Sequence, residues 1–301
     1  MNGDLADIIV GTLLGDATIK TDADKYFSYK HSAKDKKYLE WQNRLLEKQG
    51  IKGCIGLDNK ISEVYRLGFY INSLRNNYLT NLHKNWYAKV NGRYVKHLPK
   101  DLNIGSLVLL HWYLGDGSLI RQKGDRIPRI VLATNNFSKQ EISSLSEKLK
   151  LLELNFYPLR CFSGFKNGKE CGYVLISKTD DGTPFRFFRL IGLDCPSEIA
   201  NCITGRKGRG ARLHYFRDKW PNEEDWIRIL SNTSGLGKIL KEKRKEIGLS
   251  QGKLAKKIGI NRNSVKRIER GRRYPSVTVF KKLLNAIDIN STYLIERLNR
   301  D

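Results

Sequence analysis

Two aspartates, Asp16 and Asp116, lie 100 residues apart, each directly after the glycine that ends an apolar run. The first run reads Ile8-Ile9-Val10-Gly11-Thr12-Leu13-Leu14-Gly15-Asp16-Ala17-Thr18-Ile19 and the second Leu109-Leu110-His111-Trp112-Tyr113-Leu114-Gly115-Asp116-Gly117-Ser118-Leu119-Ile120. In both copies a small residue, a hydroxyl residue and an aliphatic follow the aspartate. A repeat that carries one carboxylate per copy predicts two half-domains meeting at a shared site. Two such carboxylates repel unless a cation lies between them, so Mg2+ or another divalent cation such as Mn2+ is expected. Such an ion serves phosphodiester hydrolysis, by activating a water and stabilising the leaving oxygen. Lys and Arg number 55 against 31 Asp and Glu, a net charge of +24. That excess favours a polyanionic partner over an acidic small molecule.

The repeat extends to the elements that must hold these carboxylates. Residues 26–31 and 129–135 read as strands. Helix patterns follow in Tyr38, Leu39, Trp41, Leu45 and Leu46, and in Ile142, Leu145, Leu149 and Leu152. The steps from His31 to Leu45 and from Asn135 to Leu149 are both fourteen residues, which aligns His31 with Asn135. Second strand pairs are expected at 51–58 with 63–70 and at 159–165 with 172–177. A last helix closes each half, carrying Leu74, Tyr78, Leu79 and Leu82 in the first and Phe185, Phe188, Leu190 and Ile191 in the second. The expected fold class is α+β: a pseudo-symmetric pair of αββαββα half-domains, 1–100 and 101–204. Residues 205–235 follow as a basic glycine-rich loop, a short helix around Trp226, Ile227 and Leu230, and a linker over Ser231, Asn232, Thr233, Ser234 and Gly235.

Residues 236–301 form a separate all-α unit whose 18 Lys and Arg against 6 Asp and Glu hold half of the chain's excess charge. Leu236, Ile239, Leu240 and Ile247 fit one helix ended by Gly248. Ser250 caps a second helix ending at Ile258, Gly259 makes the turn, and Asn261 caps a third. Val265 and Ile268 point inward on that third helix, leaving Arg262, Asn263, Lys266, Arg267 and Arg270 outward. The stretch Leu249-Ser250-Gln251-Gly252-Lys253-Leu254-Ala255, continuing to Gly259 and then Ser264-Val265-Lys266-Arg267-Ile268-Glu269-Arg270-Gly271, resembles the phage-repressor helix-turn-helix family. The resemblance implies that Arg262, Asn263 and Arg267 face base edges in a major groove, with Gln251 and nearby basic groups on phosphates and Lys266 also on the DNA-binding side. It also implies a structural pair between Arg244 and Glu269.

The two repeated runs resemble the single-chain LAGLIDADG homing endonucleases, over about residues 5–203. The resemblance implies that the runs form helices packed at the interface between halves, with Gly11 and Thr12 allowing close approach. His111 stands where the family has glycine, so a looser or offset contact is expected there. Asp16 and Asp116, with the carbonyls of Gly15 and Gly115, would bind the metal. His31 and Asn135 would organise active-site water. Lys96, in Lys96-His97-Leu98-Pro99, matches the basic residue of the first half, whereas the matching position of the second half falls on Asn201, which carries no charge. Either Lys207 or Arg206 substitutes from the basic loop, or the second active site is weakened. Lys20, Lys25, Lys30, Arg66, Arg121, Lys123, Arg129 and Arg160 on the hairpins, with Arg206, Lys207 and Arg209 of the loop, are the expected DNA contacts. The reaction expected is metal-dependent hydrolysis of double-stranded DNA at a long target by a monomer. A non-cleaving DNA-binding regulator and an RNA-binding intron maturase stand as alternatives.

Other classes are set aside on composition. None of the five cysteines forms a Cys-x-x-Cys pair, so zinc and disulfide frameworks are not expected. There is no run of about 18 apolar residues and no basic-then-apolar leader, so the expectation is a soluble intracellular protein with no membrane partner and no small-molecule substrate.

Overall fold

In the computed structural model, described over residues 3–22, 25–58, 68–124, 126–134, 137–161, 172–206 and 213–300, the two repeated runs form helices α1 (Gly3–Leu14) and α4 (Ser106–Asp116) that pack side by side. Ile9, Leu13, Val108, Leu109 and Trp112 are fully buried along this contact. A side chain at Gly11 would place its Cβ 2.5 Å from the Val108 carbonyl and 2.7 Å from the His111 Cβ, so the crossing admits only glycine there. The looser contact expected at His111 is not what forms. His111 fills the space Gly11 leaves, and its ring stacks on Trp41 with centroids 5.7 Å apart.

Both His111 ring nitrogens are buried without a hydrogen-bond partner among the described residues, and burial holds its pKa down at about 3. A histidine whose folded pKa lies below its unfolded value of about 6.5 contributes stability that is present above that value and lost as pH falls toward 3. His111→Leu should therefore flatten the acid side of the stability curve. Urea melts between pH 7 and 4 that keep the wild-type slope would refute this.

Each half then builds the expected hairpin, helix, hairpin and helix. In the first, β1 (Thr18–Asp22), β2 (Tyr26–Ala33), β3 (Gly53–Asp58) and β4 (Gly68–Ser73) form an antiparallel sheet in the order β1-β2-β4-β3, flanked by α2 (Lys36–Glu47) and α3 (Asn77–Trp86). The pattern departs from the sequence expectation after α3. A further hairpin, β5 (Tyr87–Val90) with β6 (Arg93–Lys96), follows, turned by Asn91 and Gly92 at positive φ. The second half repeats the scheme: β7 (Gly117–Ile120), β8 (Arg129–Ala133), α5 (Lys139–Lys150), β9 (Phe156–Cys161), β10 (Gly172–Ser177) and α6 (Thr183–Ile191), with sheet order β7-β8-β10-β9. Its extra hairpin is β11 (Ile203–Arg206) with β12 (Leu213–Tyr215), so the basic glycine-rich stretch begins in a strand instead of a free loop. The short helical turn Phe216–Lys219 follows directly.

The carboxyl-terminal unit has the helices its caps predict: α8 (Leu236–Glu246), α9 (Gln251–Ile258), α10 (Arg262–Glu269), α11 (Val277–Ile287) and α12 (Ser291–Arg300). Ser250 accepts from the Lys253 amide, Asn261 from the Asn263 amide, and Gly259 turns the chain at φ 73°. Arg244 pairs with both carboxylate oxygens of Glu269, and both residues are buried. This unit does not hang on a loose tether. Ser231 and Thr233 of the expected linker are buried, and α7 (Glu223–Leu230) packs its Trp226, Ile229 and Leu230 into a core continuous with α11 and α12. Lys281 meets Glu224 at 3.1 Å, and Arg189 of α6 donates to the Leu298 carbonyl. Among the described residues no helix is long and apolar enough to cross a membrane.

Candidate active site

Helices α1 and α4 end against each other. A Cβ at Gly15 would lie 3.5 Å from the Asp116 amide nitrogen, and one at Gly115 would lie 3.7 Å from that of Asp16. Asp16 and Asp116 thus arrive at one place, Asp16 exposed and Asp116 half-buried. Burial, then the neighbouring Asp16 carboxylate, raises the Asp116 pKa to about 7. Two carboxyl groups brought this close mark a place where a cation would relieve repulsion.

Each half supplies one ammonium to this floor. Lys96 Nζ, at the end of β6, donates to the carbonyls of Leu13 (2.9 Å) and Ala17 (2.7 Å). Lys219 Nζ, at the end of the short turn after β12, donates to the carbonyls of Tyr113 (3.2 Å), Leu114 (2.7 Å) and Gly115 (3.3 Å). Both cations sit where the helix dipole is negative. Burial lowers both pKa values to about 8, against the opposing pull of Asp116 and Asp16. The Tyr113 hydroxyl donates back to the Lys219 carbonyl, which ties the turn to α4.

The expectation for the second basic position does not fit this geometry. Asn201 is exposed, and its carbonyl oxygen accepts from Arg217. Lys207 and Arg209 lie outside the described residues, and Arg206 ends β11. Lys219 instead lies at the end of α4 as Lys96 lies at the end of α1. Direct alignment misses it because the lysines are 123 residues apart while the aspartates are 100 apart. The signal that finds it is the repeated hairpin, since each lysine closes a strand pair that follows the last helix of its half.

The alignment of His31 with Asn135 is also displaced. Thr18 pairs with Lys30 and Ser118 with Val131, so the sheet position of His31 is taken by Leu132 in the second half. Neighbouring strands agree: His31 pairs with Ile71, and Leu132 with Leu175. The second half has one extra residue in the β7–β8 hairpin and the others after β8, and Asn135 lies outside the described residues. His31 is 3% exposed, and burial depresses its pKa. It lines a cavity of about 310 Å³ together with Asp16, Tyr38, Gly115, Phe216 and Lys219.

The LAGLIDADG DNA endonuclease family matches this chain over residues 6–180, more than half its length. The chain belongs to that family. A helix-turn-helix family matches residues 240–294. An uncharacterized protein of Methanocaldococcus jannaschii is 32% identical over 154 residues, covering 50% of this chain and 56% of that protein. An uncharacterized HTH-type transcriptional regulator of Methanothermobacter thermautotrophicus is 35% identical over 49 residues, covering 16% of this chain and 71% of that protein. The homing endonuclease I-WcaI bound to its DNA recognition sequence superposes with a TM-score of 0.51 at 19% identity, covering 63% of this chain and 81% of that one, a likeness of fold.

On the LAGLIDADG sheets the expected DNA contacts divide. Lys20 and Lys30 share the face away from the core with Ser28 and Asn72, and Lys30 lies 4.4 Å over the Tyr70 ring. Lys25, Lys123 and Arg160 are exposed, and Arg129 is half-buried beside the Tyr157 hydroxyl. Arg66 lies outside the described residues. Arg121 is otherwise engaged: its guanidinium donates to Asp225 (2.7 Å) and to the carbonyls of Asp218 and Trp220, holding the Lys219 turn and α7 against β7. In the helix-turn-helix, Arg262, Asn263, Lys266 and Arg267 are all exposed on α10. Gln251, expected on a phosphate, donates to Glu269 at 2.8 Å.

Proposed function

We propose that this LAGLIDADG protein is a site-specific endonuclease of double-stranded DNA, working as a monomer. The observation that carries the reading is the meeting of Asp16 and Asp116 at touching helix ends, with one lysine from each half on the adjoining carbonyls. Among the described residues no group of three or more His, Cys, Asp and Glu side chains assembles. A metal would therefore be held by these two carboxylates with the Gly15 and Gly115 carbonyls, an all-oxygen set that suits Mg2+ or Mn2+ and not a softer ion. The Gly115 carbonyl keeps a lone pair free beside its bond to Lys219. When bound, the ion supplies charge for activating water and for stabilising the leaving oxygen. Lys96 and Lys219 neutralise the reacting phosphate from opposite halves. His31 orients water on the first side. Lys20, Lys30 and Arg129 follow the duplex backbone, and the docked helix-turn-helix reads flanking DNA.

The test is a randomised duplex library incubated with protein and Mg2+, and in parallel with EDTA, followed by sequencing of the cut ends. Ends clustered in one long motif only with Mg2+ establish the activity. A motif that is bound but intact in both arms overturns it in favour of a regulator. A structured intron RNA bound more tightly than any duplex overturns it in favour of a maturase.

The helix-turn-helix contribution is separable. Arg262→Ala or Arg267→Ala should each weaken specific binding by about 1–3 kcal/mol and relax sequence preference at one base pair. Unchanged affinity at fixed salt would show that α10 reads nothing on this target.

A further inference from the structure

A chain of four buried polar side chains runs from His31 into the interface between the halves. His31 Nδ1 lies 2.5 Å from Gln42 Oε1. Gln42 Nε2 donates to the Tyr29 hydroxyl at 3.1 Å, Tyr29 donates to Thr12 Oγ1 at 3.0 Å, and Thr12 donates to the Ile9 carbonyl at 2.9 Å. Every member is buried, so water does not compete for these bonds.

The chain has one internally consistent direction. The Ile9 carbonyl only accepts, so the Thr12 proton points to it and the Thr12 oxygen is left to accept from Tyr29. The Tyr29 oxygen then accepts from the Gln42 amide nitrogen, which turns the Gln42 oxygen toward His31. An amide oxygen only accepts, so the proton between them sits on Nδ1. Turning the Gln42 amide over would reverse each bond and forfeit the one to Ile9. The His31 ring is also pinned in place by edge contacts to Tyr29 and Tyr38, at 6.4 and 5.9 Å between centroids. Its Nε2 has no protein partner among the described residues.

The fold does not require this chain. Strand register makes Ile130 the counterpart of Tyr29 and Leu132 that of His31, and the shared bond from each strand's amide to Ser73 or Ser177 confirms the match. Helices α2 and α5 are both 12 residues long, so Gln42 corresponds to Leu145, and the repeated run makes Trp112 the counterpart of Thr12. In the second half His31, Gln42 and Tyr29 give way to aliphatic side chains and Thr12 to tryptophan, so no such chain forms there, with the surrounding architecture unchanged. Polar groups buried where apolar ones serve equally call for a role other than packing.

We propose that Gln42 is a positioning residue that locks His31 as the Nδ1–H tautomer, leaving Nε2 as the lone-pair nitrogen that orients water in the Asp16 cavity of the first half. The catalytic consequence rests on the endonuclease reading; the tautomer does not. The test is histidine 15N NMR on the full-length, metal-free protein at pH 8, with His31→Asn identifying the His31 signals. The wild type should show Nδ1 protonated and Nε2 bare. Gln42→Met should shift His31 toward the Nε2–H form, and Tyr29→Phe, which frees the Gln42 amide to turn, should give a mixture. A wild-type His31 protonated on Nε2, or Nδ1–H retained in both variants when thermal melts show them folded, overturns the proposal. In single-turnover cleavage, Gln42→Met should slow the reaction about tenfold or more, with DNA affinity unchanged. If the wild type cuts no DNA while the tautomer shifts as expected, the endonuclease reading fails and the positioning role stands.

Discussion

Lys219→Met should convert the protein into a nickase, lowering cleavage of one strand by about 10²–10³ while the other strand and DNA affinity change little. Lys219 brings the second half's only ammonium near the carboxylates among the described residues, and three helix-end carbonyls fix it there. Methionine keeps the length and apolar stem but removes the charge that would face a reacting phosphate. It also removes a cation that pulls down the Asp116 pKa, so Asp116 should hold its proton to still higher pH. Asn201→Lys is the matched control. Asn201 is exposed and bonded to Arg217, so added charge there should leave both strand rates unchanged. Strand-resolved denaturing gels of an end-labelled target measure both variants. Equal loss on both strands in Lys219→Met, or acceleration in Asn201→Lys, would remove Lys219 from its assigned place.

Asp16→Asn and Asp116→Asn should each abolish cleavage of both strands, a loss on the order of 10³ or more, with binding retained. The shared floor explains why one substitution disables both halves. The same variants should also be more stable than the wild type in EDTA. Asp116 has its folded pKa raised to about 7, above its unfolded value, so its stabilising share is present at low pH and is lost as pH rises through 7. Asn removes that penalty, and the gain should therefore be full above pH 7 and shrink as pH falls toward about 4. A rise in melting temperature of at least about 2 °C at pH 8 is expected for Asp116→Asn. Full activity in either variant would refute the metal assignment, and a lower melting temperature in EDTA at pH 8 would refute the repulsion.

Much of this site is legible in the residues. The repeated Gly-Asp runs specify two apolar helices that bring Asp16 and Asp116 together, because an apolar helix must be buried and its repeat offers it a partner. Lys96 is legible from the short motif around it. In the carboxyl-terminal unit, caps at Ser250 and Asn261 and glycines at 248 and 259 specify helix ends through bonds made within a few residues. The misses share another cause. Lys219 is hidden because a connection over 192–202 and a longer hairpin separate it from α6, whereas β5 follows α3 directly, and such lengths are set by no periodicity. The pairing of His31 with Asn135 does not hold because only one of the extra residues lies in the β7–β8 hairpin and the others follow β8, which only strand register reveals. Arg121 reads as a DNA contact until Asp225, 104 residues later, claims it.

By itself, then, the sequence determined the pair of carboxylates, the repeated helix-and-hairpin halves and the helix ends and outward face of the helix-turn-helix, all encoded by apolar periodicity and local caps. Only the tertiary structure decided which lysine lies beside the second carboxylate, that Gln42, Tyr29 and Thr12 hold His31 in the first half alone, and that the helix-turn-helix docks through α7. Those arrangements depend on hydrogen bonds and packing between residues far apart in the chain, where register and loop length, not residue type, choose the partner.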